Sequence, residues 1–216
     1  MSQASTGMAP KRRAVARPKR RPTRAEKTEE TRRALFIAAG KVVGKHGYAG
    51  ASISRITNQA KVAQGTFYNY FETRQHLFDQ LLPALGGDLL ERINARVGPE
   101  PRGAAREEKR LRAWFAYLDE HPEFLRILNE AEIFAPRAYQ SHMENFIRGY
   151  CRALDRSRSR GETRRLDDET LEVVAIILLA ARGYLGQRYA RRNRKPMLEA
   201  AVRGYMTLVR HGLFRK

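Results

Sequence analysis

The sequence predicts an all-α protein, in which a small N-terminal unit of three helices is followed by a larger helical domain. Three observations carry this expectation. Apolar residues recur at helical spacing from Leu35 onward, and no segment shows the strict alternation of a strand. Glycine and proline gather at a few places, among them 47–50, 86–88 and 99–103, and leave segments of helical length between them. The chain of 216 residues is long enough to bury a sizeable core.

Composition narrows the partner. Lys and Arg total 42 against 23 Asp and Glu, a formal charge of +19, which favours a polyanion and above all nucleic acid. A membrane partner is not expected, because the longest apolar run, VVAIILLAA at 173–181, is about half of what a spanning helix needs. The basic start of the chain leads into a charged helix and not into an apolar stretch, so no secretory signal is read and a cytoplasmic protein is expected. A single cysteine, Cys151, rules out an internal disulfide and a multi-cysteine zinc site.

Residues 1–27 hold nine basic residues and one acid, with Pro10, Pro18 and Pro22 and few large apolar side chains, so a disordered basic arm is expected there. Order is predicted to begin at Thr28, as the N-cap of a helix with Glu29 and Glu30 at its positive end and Leu35, Ala38, Ala39, Val42 and Val43 on its apolar stripe. Gly47 and Gly50 end it. Ser52 can cap a short second helix, with Ile53, Ile56 and Ala60 on one face and Ser54, Arg55 and Asn58 on another.

The segment KVAQGTFYNYF, 61–71, then mixes polar and aromatic residues in a way neither a core helix nor a solvated helix requires. The mixture resolves if Phe67 and Phe71, one turn apart, complete a small core with Ile53, Ile56, Ala60 and Val62. The opposite face then carries Gln64, Gly65, Tyr68 and Asn69, with Thr66 and Tyr70 at its margins. Two short helices joined by a tight turn, the second presenting its N-terminal residues, form a helix-turn-helix suited to a major groove.

The stretch from GYAGASISRI through AKVAQGTFYNYFETRQHLF resembles the DNA-binding domain of the TetR family of bacterial transcriptional regulators. The resemblance implies a helix-turn-helix domain over 28–75 that binds double-stranded DNA, and an effector-binding and dimerisation domain over 76–216. Carried over by position, it implies that Ala63, Gln64, Gly65, Thr66, Tyr68 and Asn69 lie at the groove. Tyr68 and Tyr70 fall on phosphates, Ser52 and Arg74 hold the DNA backbone, and Ser54 or Arg55 reaches a base edge. Gln64 and Asn69 are the expected base readers, because a side-chain amide pairs bidentately with adenine. The chain departs from the family pattern at Lys61, where glycine is usual and the turn favours positive φ, and at Ala63, where Ser or Thr usually caps the recognition helix. At Gln64 a lysine is common.

Beyond Thr73 a helix is predicted to reach Gly86–Asp88, followed by a loop at 99–103 and helices over 107–120, from Pro122, over 135–154, over 168–191 and over 196–211. The helix over 168–191 is apolar on nearly every side, which together with the resemblance implies a homodimer formed through 168–213. Trp114, Phe115, Leu118, Leu128, Phe134, Tyr139, His142 and Phe146 form a candidate apolar pocket for a small-molecule effector. They are equally what a helical core contains. Of Arg126, Arg148 and Arg182, any could recognise an acidic ligand, although surface placement is the expectation.

No phosphate loop, nucleophile elbow, HExxH or spaced set of metal ligands occurs, so neither an enzyme nor a cofactor or metal protein is expected. The functional expectation is a ligand-responsive repressor of a palindromic operator. The rival expectation is an architectural DNA binder driven by charge and lacking an effector.

Overall fold

The computed structural model describes residues 23–99, 101–189 and 195–213. Helix α1 (Arg24–Gly50) begins upstream of the predicted Thr28 cap. Thr23 accepts a hydrogen bond from the Glu26 N–H (3.2 Å), and the Glu26 carboxylate accepts one from the Thr23 N–H (2.6 Å). This reciprocal capping box satisfies two otherwise orphaned donors. Thr28 has no such partner and lies inside the helix, its hydroxyl donating to the Arg24 carbonyl. Residues 24–27 of the expected arm therefore belong to α1, and 1–22 lie outside the described residues.

The helical course of α1 breaks at Gly47, where φ is 72°. Then come α2 (Ile53–Ala60) and α3 (Gln64–Tyr68), and these three elements build the N-terminal unit. Helix α4 (Arg74–Val97) runs straight through the predicted stop at 86–88. Gly86 does not break it because its role is close approach: a Cβ there would collide with the His142 ring. The remaining helices are α5 (Gly103–Glu120), α6 (Phe124–Phe134), α7 (Pro136–Ser159), α8 (Asp168–Tyr189) and α9 (Lys195–Leu208), with a final π-helical turn at Val209–Leu213. The seventh helix outlasts its predicted end at 154, leaving 160–167 as the charged connection.

One continuous core joins the two parts. Leu35, Ala39, Val43, Tyr48, Ile56, Phe67, Phe71, Leu77 and Phe78 are buried around α1 to α4, and Leu81, Leu89, Leu111, Phe115, Tyr117, Phe124 and Ile127 extend that core into the larger domain. Each fully buried aliphatic or phenyl side chain stabilises by about 1.5–3 kcal/mol. Helix α1 packs on both α2 and α6, and α4 packs on α5 and α7, so both helices bridge the N-terminal unit and the rest.

Candidate nucleic-acid interface and sensor interior

The second helix is seated by Ser52, whose hydroxyl accepts from the Arg55 N–H (3.3 Å), and by Ile56, which is fully buried. Thr57, also buried, returns its hydroxyl to the carbonyls of Ile53 and Ser54 at 3.1 and 3.2 Å, a contact its polar character did not suggest. The turn after α2 places Lys61 at φ 58°, ψ 42°, the left-handed region in which a side chain costs about 1 kcal/mol relative to glycine. Its N–H closes the turn on the Asn58 carbonyl at 3.2 Å.

Ala63 then starts α3 without any side-chain cap. Phe67 and Phe71 point inward, their rings 5.5 Å apart, and Phe71 meets Phe36 edge-on at 5.3 Å. On the other side Gln64, Gly65, Tyr68 and Asn69 are exposed, while Thr66 and Tyr70 are half-buried. Tyr68 is 54% exposed, although its ring edge touches Phe67. Nothing lies within 4 Å of where a Gly65 Cβ would stand, so the surface over the start of α3 is open to a large partner.

Ser52 and Ser54 are exposed at the same end of the unit. Two arginines of the expected set are exposed but already engaged. Arg55 donates to the Gly50 carbonyl at 2.6 Å, and Arg74 lies over the Phe78 ring with its Nη1 3.5 Å from the Ala49 carbonyl. Both therefore brace the chain around 49–50, and only their remaining N–H groups are available to a partner.

In the larger domain Trp114, Phe115, Leu118 and His142 are buried, and Leu128, Tyr139 and Phe146 are half-buried. His142 sits 4.5 Å from the Phe146 ring, and burial pushes its imidazole down to about 4, so it is neutral at physiological pH. Trp114 donates its indole N–H to the Arg182 carbonyl (3.1 Å) and meets Phe124 edge-on. Phe134 departs from the expected pocket: its ring stacks on Tyr48 at 5.7 Å, because the end of α6 docks on the end of α1. A groove of about 980 Å³ lies elsewhere, between α1 and α4, with Arg32, Phe36, Ile37, Asp88, Arg92 and His121 among its lining residues. None of the eight expected pocket residues lines it.

Arg182, expected at the surface, is buried. Its guanidinium pairs with the carboxylate of Glu107, itself 1% exposed, and donates to the Tyr150 hydroxyl at 2.6 Å and the Tyr205 hydroxyl at 3.3 Å. Tyr205 donates to Glu107 Oε1 at 2.7 Å. Burial acts to raise the Glu107 carboxyl, but the Arg182 charge and the surrounding hydrogen bonds outweigh it and hold the group below the usual carboxylate range. Glu107 Oε2 has no hydrogen-bond partner and lies 3.7 Å from Arg110. The cluster ties α5, α7, α8 and α9 together.

A three-helix unit with an apolar floor and an exposed polar and aromatic face has the helix-turn-helix arrangement that suits a DNA major groove. The family model for bacterial regulatory proteins of the tetR family matches residues 35–81. The fatty acid metabolism regulator protein of Bacillus subtilis (strain 168) is 31% identical over 77 residues, which cover 36% of this chain and 39% of that protein. The HTH-type transcriptional repressor KstR of Mycobacterium tuberculosis is 24% identical over 183 residues, 82% of this chain and 81% of the relative. Among solved structures, the transcriptional regulator FadR from Bacillus subtilis in complex with stearoyl-CoA superposes with a TM-score of 0.69 at 18% identity, covering 82% of this chain and 96% of that one. A TetR-family regulator from Rhodococcus sp. gives a TM-score of 0.71 at 16% identity, covering 84% and 97%. Residues 35–81 therefore match the tetR family of bacterial regulatory proteins, and the fold over most of the chain is that of TetR-family regulators. Among the described residues no helix is long and apolar enough to cross a membrane.

Proposed function

We propose that the chain is a ligand-responsive repressor that binds a palindromic operator as a homodimer in the bacterial cytoplasm and is released by a small molecule. The observation that carries this reading is the division of labour over 64–71, where Phe67 and Phe71 anchor α3 and the turn after it while Gln64, Tyr68 and Asn69 are exposed on the outer face. Gln64 and Asn69 supply bidentate amides for base edges, and Tyr68 and Tyr70 supply hydroxyls for phosphates. Ser52, Ser54, Arg55 and Arg74 border that face.

Dimerisation is supported by α8, whose Val173, Ile176, Ile177 and Tyr184 are exposed at helical spacing, and by Leu208 at the end of α9, 76% exposed. An apolar stripe of this kind is covered most simply by its own copy, which sets two readers about 34 Å or a multiple apart. An apolar effector is supported by the aromatic interior around Trp114, Phe115, Leu118, His142 and Phe146 and by the acyl thioester bound in the structurally similar FadR.

Selection of binding sites from random DNA tests the reading. The expected result is an inverted repeat bound about 10³-fold or more tightly than random sequence. An absence of enrichment would overturn it in favour of a charge-driven binder.

A further inference from the structure

Where the reader joins the sensor, two side chains of α6 grip the backbone of α1. Arg126 Nη1 donates to the carbonyls of Gly44 (3.2 Å) and Lys45 (3.1 Å), just before the break at Gly47. Its Nε donates to Glu130 Oε1 at 2.6 Å. The other oxygen, Glu130 Oε2, accepts from the Tyr48 N–H at 2.8 Å, just past the break. The pair thus holds backbone groups on both sides of the point where the chain turns from α1 toward α2.

Gly47 makes this grip possible. A Cβ at its position would stand 2.8 Å from Arg126 Nη2 and 2.9 Å from Glu130 Oε2, and its φ of 72° disfavours any other residue. Gly44, a turn earlier, is likewise pressed on the residue that precedes α6, since a Cβ there would run into Glu123. Tyr48 completes the joint: it is fully buried between Phe78 of α4, edge-on at 4.8 Å, and Phe134 of α6, stacked at 5.7 Å. Burial of α1 against α6 alone would permit a slide along the contact, whereas directional hydrogen bonds to three backbone groups fix one register.

We propose that Arg126 and Glu130 are positioning residues of the DNA site, setting the angle at which α2 and α3 leave the larger domain. The proposal rests on the reading of the chain as an operator-binding dimer. Neither residue touches DNA in it; each acts through the backbone at 44–48.

The test uses the full chain and the operator obtained by selection. Affinity is measured for that operator, for versions with the half-sites one base pair closer or farther apart, and for random DNA. Thermal stability is followed in parallel. Arg126→Gln and Glu130→Ala are expected to weaken operator binding by about tenfold while leaving misspaced and random DNA unchanged, so that the spacing preference narrows. Glu130→Gln keeps an acceptor for the Tyr48 N–H and should retain most of the preference, whereas Arg126→Lys cannot reach both carbonyls and Glu130 together and should fall between. A purely stabilising pair would lower the melting temperature without changing the spacing preference. A wild-type palindrome whose spacing preference survives Arg126→Gln, Arg126→Lys and Glu130→Ala overturns the proposal alone. Absence of any palindrome in the wild-type selection overturns the reading beneath it and the proposal with it.

Discussion

The N-terminal unit and the larger domain use charge in opposite ways. Around α2 and α3 the interior is Ile56, Phe67 and Phe71, with Thr57 the buried polar residue there, and the polar side chains stand outside. In the larger domain a carboxylate and a guanidinium, Glu107 and Arg182, are taken inside and paired, with two tyrosines hydrogen-bonded to them. The first arrangement leaves a rigid surface free to meet another molecule. The second spends its polar groups on one another and fixes how four helices are assembled, a specificity that hydrophobic packing alone does not supply.

The largest effect that would break this contrast comes from the buried pair. Arg182→Ala leaves the Glu107 carboxylate buried without its main counter-charge and should destabilise the protein by about 3–5 kcal/mol. Replacing Glu107 and Arg182 together by Met and Leu should cost far less, and thermal or urea unfolding of both variants checks the difference. Equal losses would mean that packing, and not charge, holds the cluster.

Phe71→Ala comes next, expected to cost about 3–5 kcal/mol from an almost fully buried site. Its neighbour on the other face sharpens the comparison. Tyr68→Ala should leave stability within about 0.5 kcal/mol and instead weaken operator binding. Calorimetry beside a DNA-binding titration separates the two, and an unfolded Tyr68 variant would show that the facing of α3 is misassigned.

The smallest effect concerns the turn. Lys61→Gly should stabilise the free protein by about 1 kcal/mol, since it relieves a left-handed residue at φ 58°. A neutral or destabilising outcome in chemical denaturation would mean that the lysine side chain contributes packing or charge that offsets its strain.

These differences also explain what could be read from the sequence. The facing of α2 and α3 was legible because each apolar anchor lies within a turn or two of the polar residues it exposes, so local periodicity suffices. The start of α1 was not, because the acids after Thr28 pointed to a cap there, whereas the reciprocal bonds of Thr23 and Glu26 set the cap five residues earlier. The glycines at 86–87 read as a stop, yet the close approach of His142, which lies on another helix, gives Gly86 its reason. Likewise, Glu107, Tyr150, Arg182 and Tyr205 are separated by tens of residues, and no local pattern brings them together. Phe134 belonged by composition to the pocket and by geometry to the joint with Tyr48.

The most direct measurement is the affinity of Gln64→Ala and Asn69→Ala for the selected operator and for random DNA at one salt concentration. If the outer face of α3 reads bases, operator affinity falls by about 1–3 kcal/mol per lost amide while random DNA is bound as before, so the specificity ratio shrinks. Equal losses on both DNAs would make these residues phosphate contacts, and no loss on either would place sequence reading somewhere other than this face.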